Sequence, residues 1–160
     1  MRVLGIDPGI GRTGWGVIDK KGAKYTVIQF GLIETSQKLQ IQDRLQLLSD
    51  QIGELFKTYN PDAMAIEELF FNTNAKTAFV VGQARGVVLL ASATYHVPPF
   101  VYTPLQVKIA VTGYGRAEKN QVGIMVKTLL GLNAIPKPDD VADALAIAIT
   151  HACSLRVDVV

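Results

Sequence analysis

One cysteine, Cys153, is all the thiol chemistry in this 160-residue chain. A lone cysteine excludes an internal disulfide and fits a reducing, cytoplasmic setting. No catalytic partner for Cys153 is evident. There is no run of about 18 apolar residues, which argues against a membrane span and a membrane partner. The opening apolar stretch is short and broken by Asp7-Pro8, so it reads as a strand and a turn rather than a signal peptide. The two histidines, His96 and His151, are far apart and lack ligand spacing, so both are expected to be structural or surface residues. Charged residues make up 19% against 49% apolar. That balance excludes a disordered chain and predicts one globular domain over residues 1–160.

Acid is scarce in one region only. Residues 69–138 carry Lys76, Arg85, Lys108, Arg116, Lys119, Lys127 and Lys137 against Glu118 alone, a local excess of six positive charges within a chain of net charge +2. The remainder is therefore net negative. A basic middle beside acidic ends suits an anionic substrate that meets a cation. The competing reading is that the lysines merely keep helices soluble.

Periodicity and turn residues give the order of elements. Residues 2–7, 13–19 and 24–34 read as three consecutive antiparallel strands, with a turn at Asp19-Lys20-Lys21-Gly22. A helix at about 39–59 follows the 3.6-residue period through Ile41, Leu45, Leu48, Ile52, Leu55, Phe56 and Tyr59, and Asn60-Pro61 stops it. Residues 62–67 are short and apolar, as in a buried parallel strand. A helix at about 74–95, a short strand near 100–103, and helices at about 104–112, 118–131 and 139–155 complete a βββαβαβααα order. The expected fold is α/β: a mixed five-stranded sheet with helices on both faces.

Four acidic positions stand out. Asp7 and Glu67 each close an apolar strand, and Asp140 and Asp143 open the last, strongly apolar helix. Carboxylates at the rim of a core that converge on one spot repel each other, and a bound divalent cation removes the conflict. Hard oxygen ligands suit magnesium or manganese. Glu67 and Glu68 would face opposite ways on a strand, so one of them joins Asp7. Asp140 and Asp143 share a helix face, although acids in a first turn also simply favour the helix dipole. Asp139, directly after Pro138, is expected to be the N-cap.

Gly9-Ile10-Gly11-Arg12-Thr13-Gly14 matches the dinucleotide pattern G-x-G-x-x-G, with Glu34 twenty residues beyond Gly14. The fingerprint requires these glycines to open a helix. Here Trp15-Gly16-Val17-Ile18 follows and is strand-like, so the segment reads as a tight turn between strands. Phe70 and Phe71 fall in an expected loop after Glu67. An exposed loop aromatic stacks on unpaired bases, and a packed one does not; Phe70 is the better candidate.

Ordered motifs carry a family resemblance over nearly the whole chain. They are Gly5-Ile6-Asp7-Pro8-Gly9, Ala65-Ile66-Glu67, Gly82-Gln83-Ala84-Arg85-Gly86, Gln106-Val107-Lys108, Ala117-Glu118-Lys119 and Ala142-Asp143-Ala144-Leu145-Ala146-Ile147-Ala148. Together they resemble the RuvC family of Holliday junction resolvases. The resemblance implies a ribonuclease-H-like fold and a homodimer that nicks two symmetry-related strands of a four-way DNA junction in recombination and repair. It implies a branch-migration complex of the RuvA and RuvB type as partner. Asp7, Glu67, Asp140 and Asp143 would be the catalytic carboxylates, holding two Mg2+ ions per site, with Mn2+ an alternative. Asp139 rivals Asp140, because some family members carry histidine at that position. By the same resemblance Lys108 and Lys119 would serve DNA contact and catalysis, and Phe70 would stack near the crossover; Lys76, Arg85 and Arg116 of the basic middle are further candidates for DNA contact. Two metals about 3.5–4 Å apart activate water, align it and stabilise the leaving oxyanion. Competing functions are a related nuclease acting on RNA–DNA hybrids or flaps, a non-catalytic junction-binding protein, and an actin-like nucleotide-binding lobe.

Overall fold

The protein is described here by a computed structural model covering residues 1–68 and 75–154. The element order is β1 (Arg2–Asp7), β2 (Arg12–Lys21), β3 (Lys24–Glu34), α1 (Ile41–Tyr59), β4 (Ala63–Glu67), α2 (Ala75–Thr94), β5 (Pro99–Tyr102), α3 (Pro104–Thr112), α4 (Lys119–Leu130) and α5 (Asp139–Ser154). This is the expected order. The strands form one sheet in the order β3-β2-β1-β4-β5. β1 and β2 pair antiparallel, as do β2 and β3, whereas β4 runs parallel to both β1 and β5. The β2 strand outruns its expected span of 13–19 because β3 pairs with it along its whole length, from Arg12 to Lys21, whereas β1 pairs only with residues 14–19.

Strand alternation divides the core in two. Val3, Ile18 and Ala65 face α3, α4 and α5, packing with Val107, Val126, Leu145 and Ile149. Leu4, Ile6, Val17, Met64 and Ile66 face α1 and α2, packing with Leu48, Ile52, Phe56, Ala84 and Val88. Helices on both faces follow from these two apolar surfaces.

Local signals place the helix ends. Asn60 adopts the left-handed conformation (φ 44°) and closes α1 with its N–H on the Phe56 carbonyl at 2.9 Å. Thr103 caps α3, accepting from the Gln106 N–H at 3.1 Å while the Gln106 side chain takes the Thr103 N–H at 2.8 Å. Gln121 accepts the Glu118 N–H at 2.7 Å, which sets Lys119 as the first residue of α4. Asp139 departs from expectation. It is the first residue of α5 rather than its N-cap, and its carboxylate is taken by lysines instead of backbone N–H groups. Among the described residues, no helix is long and apolar enough to cross a membrane.

Candidate active site

Asp7 and Glu67 are the last residues of neighbouring parallel strands. The register pairs Gly5 with Ala65 and Ile6 with Ile66, so the next rung brings Asp7 level with Glu67. Ile6 and Ile66 face α1 and α2, and alternation turns both carboxylates to the opposite face, toward α5. The chain then leaves the sheet through a turn that is tied down. The Thr13 hydroxyl, fully buried, donates to the Gly9 carbonyl at 2.7 Å and accepts the Gly9 N–H at 3.2 Å. Thr35 holds the other side, its hydroxyl on the Ile10 carbonyl and its N–H on the Gly11 carbonyl at 3.1 Å. Arg44 of α1 donates to the Thr35 hydroxyl at 2.9 Å.

The α5 helix reaches the same spot because the sheet is bare beneath it. A Cβ on Gly5 would strike the Ala144 carbonyl, one on Gly14 the Asp140 carbonyl, and one on Gly16 the Leu145 side chain. Three glycines on two adjacent strands thus let the first turns of α5 settle on the sheet. Asp140 and Asp143, both half-buried, arrive there on one helix face.

Each carboxylate feels the others. Burial first, then repulsion from Asp143, Glu67 and Asp140, pushes Asp7 up to about 7, with Lys119 opposing. Glu67 is raised by burial and by Asp143, against the pull of Lys119 and Lys108. Asp143 is also raised, chiefly by burial, although it accepts a hydrogen bond from Lys119. Raised acids in a cleft mark a place where negative charge is held at a cost.

The protein's own cations partly meet that charge. Lys119 Nζ lies 2.8 Å from Asp143 Oδ2 and 3.8 Å from Asp139 Oδ2. Arg12 Nε lies 3.5 Å from Asp140 Oδ2. Lys137 Nζ takes Asp139 Oδ1 at 2.9 Å, and the two lysines hold the Asp139 carboxyl below the usual carboxylate range. Among the described residues, no three acidic, histidine or cysteine side chains come close enough to share one ion. The donor set nevertheless fits a divalent cation in kind. It is all carboxylate oxygen, it repels itself, and two of its members are already bound by positive charge. The fit requires Asp143 and Asp140 to exchange Lys119 and Arg12 for the ion.

A cleft of about 270 Å3 opens beside these groups, lined by Glu67, Asp143, Lys108, Lys119, Val107 and Ile147. Lys108 and Lys119 therefore share a cavity with two of the carboxylates. Arg116 is exposed in the turn between α3 and α4, and Lys76 is exposed in the first turn of α2. Arg85 behaves differently, since its guanidinium is half-buried and donates to the backbone carbonyl of Glu67. Glu68 lies exposed beyond the strand, which leaves Glu67 as the partner of Asp7. Phe70 and Phe71 fall outside the described residues. His151 is buried against Phe100 with its Nδ1 2.8 Å from the Tyr102 hydroxyl, a structural role as expected.

Sequence reasoning did not find Arg12, Thr13, Thr35 or Arg44. Their partners are distant along the chain, and no local spacing announces them. The Gly5, Gly14 and Gly16 series was the available signal, because alternate glycines on a strand mark a close approach.

A family model described as crossover junction endodeoxyribonuclease RuvC matches residues 3–151. The crossover junction endodeoxyribonuclease RuvC of Halothermothrix orenii is 56% identical over 158 residues, covering 99% of this chain and 96% of that protein. The protein of the same name from Brevibacillus brevis is 56% identical over 152 residues, covering 95% of this chain and 92% of its own. Among solved structures, T. thermophilus RuvC in complex with a Holliday junction substrate superposes with a TM-score of 0.91 at 40% identity, over 95% of this chain and 93% of that one.

Proposed function

The chain belongs to the RuvC family of crossover junction endodeoxyribonucleases, and from that premise we propose that it resolves four-way DNA junctions by paired symmetric nicks. The observation that carries this reading is geometric: Asp7 and Glu67 end adjacent strands on the face toward α5, where the close approach at Gly5 and Gly14 seats the helix turns that bear Asp140 and Asp143. We assign these four side chains to hold divalent metal, Mg2+ with Mn2+ as an alternative, at two ions per site. When bound there, the metal supplies charge neutralisation and an activated water for phosphodiester hydrolysis.

The remaining chemistry belongs to the chain itself. Asp7, at the end of the central strand β1, would be one ligand of the metal. Glu67 and Asp143 would complete the set, and Asp140 would help orient the attacking water. The ammonium of Lys119 shifts from Asp143 to the scissile phosphate as negative charge builds there. Lys108, in the same cleft, holds the adjoining phosphate oxygens. Lys76 and Arg116 contact the backbone farther out, where exposed cations set affinity rather than rate. Phe70 stacks on a base unpaired at the crossover. Residues 1–160 act as one catalytic domain, and a two-fold homodimer presents two such sites to a two-fold junction. A branch-migration complex of the RuvA and RuvB type would deliver the junction in the cytoplasm.

The experiment that tests this reading compares a synthetic four-way junction with an RNA–DNA hybrid of the same sequence in Mg2+. Junction nicking on opposed strands supports it. Preferential cutting of the hybrid transfers the site to another ribonuclease-H-like activity.

A further inference from the structure

The end of β4 has an unmet hydrogen-bonding need. Met64 and Glu68 send their N–H groups toward β5, to the carbonyls of Pro98 at 3.0 Å and Tyr102 at 2.8 Å. Strand alternation therefore directs the backbone groups of Ala65 and Glu67 toward β1. With Gly5 level with Ala65, each further rung moves two residues along both strands. The donor due to the Glu67 carbonyl is then the N–H of residue 8. That residue is Pro8, which has no N–H. A strand-end carbonyl at the floor of the candidate site is left without its ladder partner.

Arg85 supplies the missing donor. It lies on α2 next to Ala84, which is fully buried against the sheet and keeps the helix close. Its Nη1 donates to the Glu67 carbonyl. Burial draws the guanidinium below its usual pKa, and the nearby Glu68 charge offsets this only in part. Among the described residues Arg85 forms no ion pair. A cation is thus withdrawn from water and directed at a backbone oxygen, an arrangement of little use for meeting DNA.

We propose that Arg85 is a positioning residue for Glu67: it replaces the donor that Pro8 cannot give and fixes the strand end from which the Glu67 carboxylate projects beside Asp7. This gives the Gly82-Gln83-Ala84-Arg85-Gly86 motif a task distinct from phosphate contact. The proposal rests on the reading of Glu67 as a member of the catalytic set.

The test uses the full chain, a labelled four-way junction and three variants. Arg85→Ala is expected to cut about 10- to 100-fold more slowly in saturating Mg2+, the usual loss when a supporting partner of a metal ligand is removed. In EDTA its junction affinity should stay within about twofold of wild type, with an unchanged salt dependence. Arg85→Lys, which keeps a charged donor, should recover part of the rate. If Arg85→Ala does not fold, the neutral Arg85→Gln carries the test, with a reduced rate and an unchanged salt slope expected. A slope lowered by about one phosphate in either neutral variant, at an unaltered cleavage rate of the bound complex, makes Arg85 a DNA ligand and overturns the proposal. Wild-type cutting by Arg85→Ala overturns it as well. Failure of the functional reading would look different, because the wild-type protein itself would then leave the junction uncut.

Discussion

Gly14 of β2 lies so close to the Asp140 backbone carbonyl of α5 that no Cβ fits between them. This contact sets the height of the α5 first turn above the sheet, and with it the distance of Asp140 and Asp143 from Asp7. Gly14→Ala should lift that turn. The expected result is a loss of about 1–3 kcal/mol in stability from overpacking together with a cleavage rate that falls by more than the melting shift explains. Chemical denaturation and single-turnover cutting check it. A stable, fully active Gly14→Ala protein would mean that the helix is not held by this approach.

Asp7 makes the metal-free protein sensitive to pH. Its carboxyl is pushed up to about 7 from the ordinary value of 3.8. Between those values the folded state binds more protons than the unfolded one, so this group's contribution to stability falls as pH rises and is fully adverse above about 7. Asp7→Asn removes that penalty. The variant should melt higher than wild type at pH 8 without divalent metal, with the difference shrinking toward pH 4. Added Mg2+ should raise the wild-type melting temperature at pH 8 and leave Asp7→Asn nearly unmoved. Equal melting of the two proteins across this range would contradict the repulsion on which the site is built.

Asp139 and Asp140 are separated by their partners. Asp139 is exposed, is the first residue of α5, and is bound to Lys137 and Lys119. Asp140 is half-buried beside Arg12. Asp139→Asn should therefore change stability by no more than about 0.5 kcal/mol and retain most cleavage. Asp140→Asn should lose most of its activity while still binding junctions. The reverse pattern in a side-by-side cleavage series would move the ligand role one residue earlier.

Lys119 and Lys76 should fail in different ways. Lys119→Ala deprives Asp143 of the ammonium 2.8 Å away and is expected to slow cutting even at saturating protein. Lys76→Ala should weaken junction binding and lower the salt slope by about one unit, with little change in the rate of the bound complex. Binding titrations at several salt concentrations, paired with single-turnover rates, distinguish them. Identical effects of the two variants on rate and slope would refute the division of labour.

Most of the architecture was legible because it is written in local pattern. The 3.6-residue period of α1 and the short apolar runs of β1 and β4 reflect burial on defined faces. The strand-end acids Asp7 and Glu67 were visible for the same reason, being polar where an apolar run stops. What escaped notice lies in contacts between distant segments. Arg12 reads as a turn residue until α5 brings Asp140 to it. Asp139 after Pro138 has the composition of an N-cap, yet its carboxylate is bound by the neighbouring Lys137 and by Lys119 of α4, the latter a contact between segments distant along the chain. Arg85 reads as a surface cation on a helix, and its inward turn depends on Pro8, a residue of another strand's end.

The central claim is that four carboxylates, two at the ends of β1 and β4 and two on the first turns of α5, form a metal-dependent junction-cutting site. It is tested most directly by incubating the wild-type protein with a synthetic four-way junction in Mg2+, labelling each of the four strands in turn. The account predicts nicks at symmetry-related positions on two opposed strands, leaving 5′-phosphate and 3′-hydroxyl ends, no cutting in EDTA, and none by an Asp7→Asn protein that still binds the junction. Cutting that persists in Asp7→Asn at near the wild-type rate, or a junction left intact by wild-type protein that binds it in Mg2+, would contradict the account.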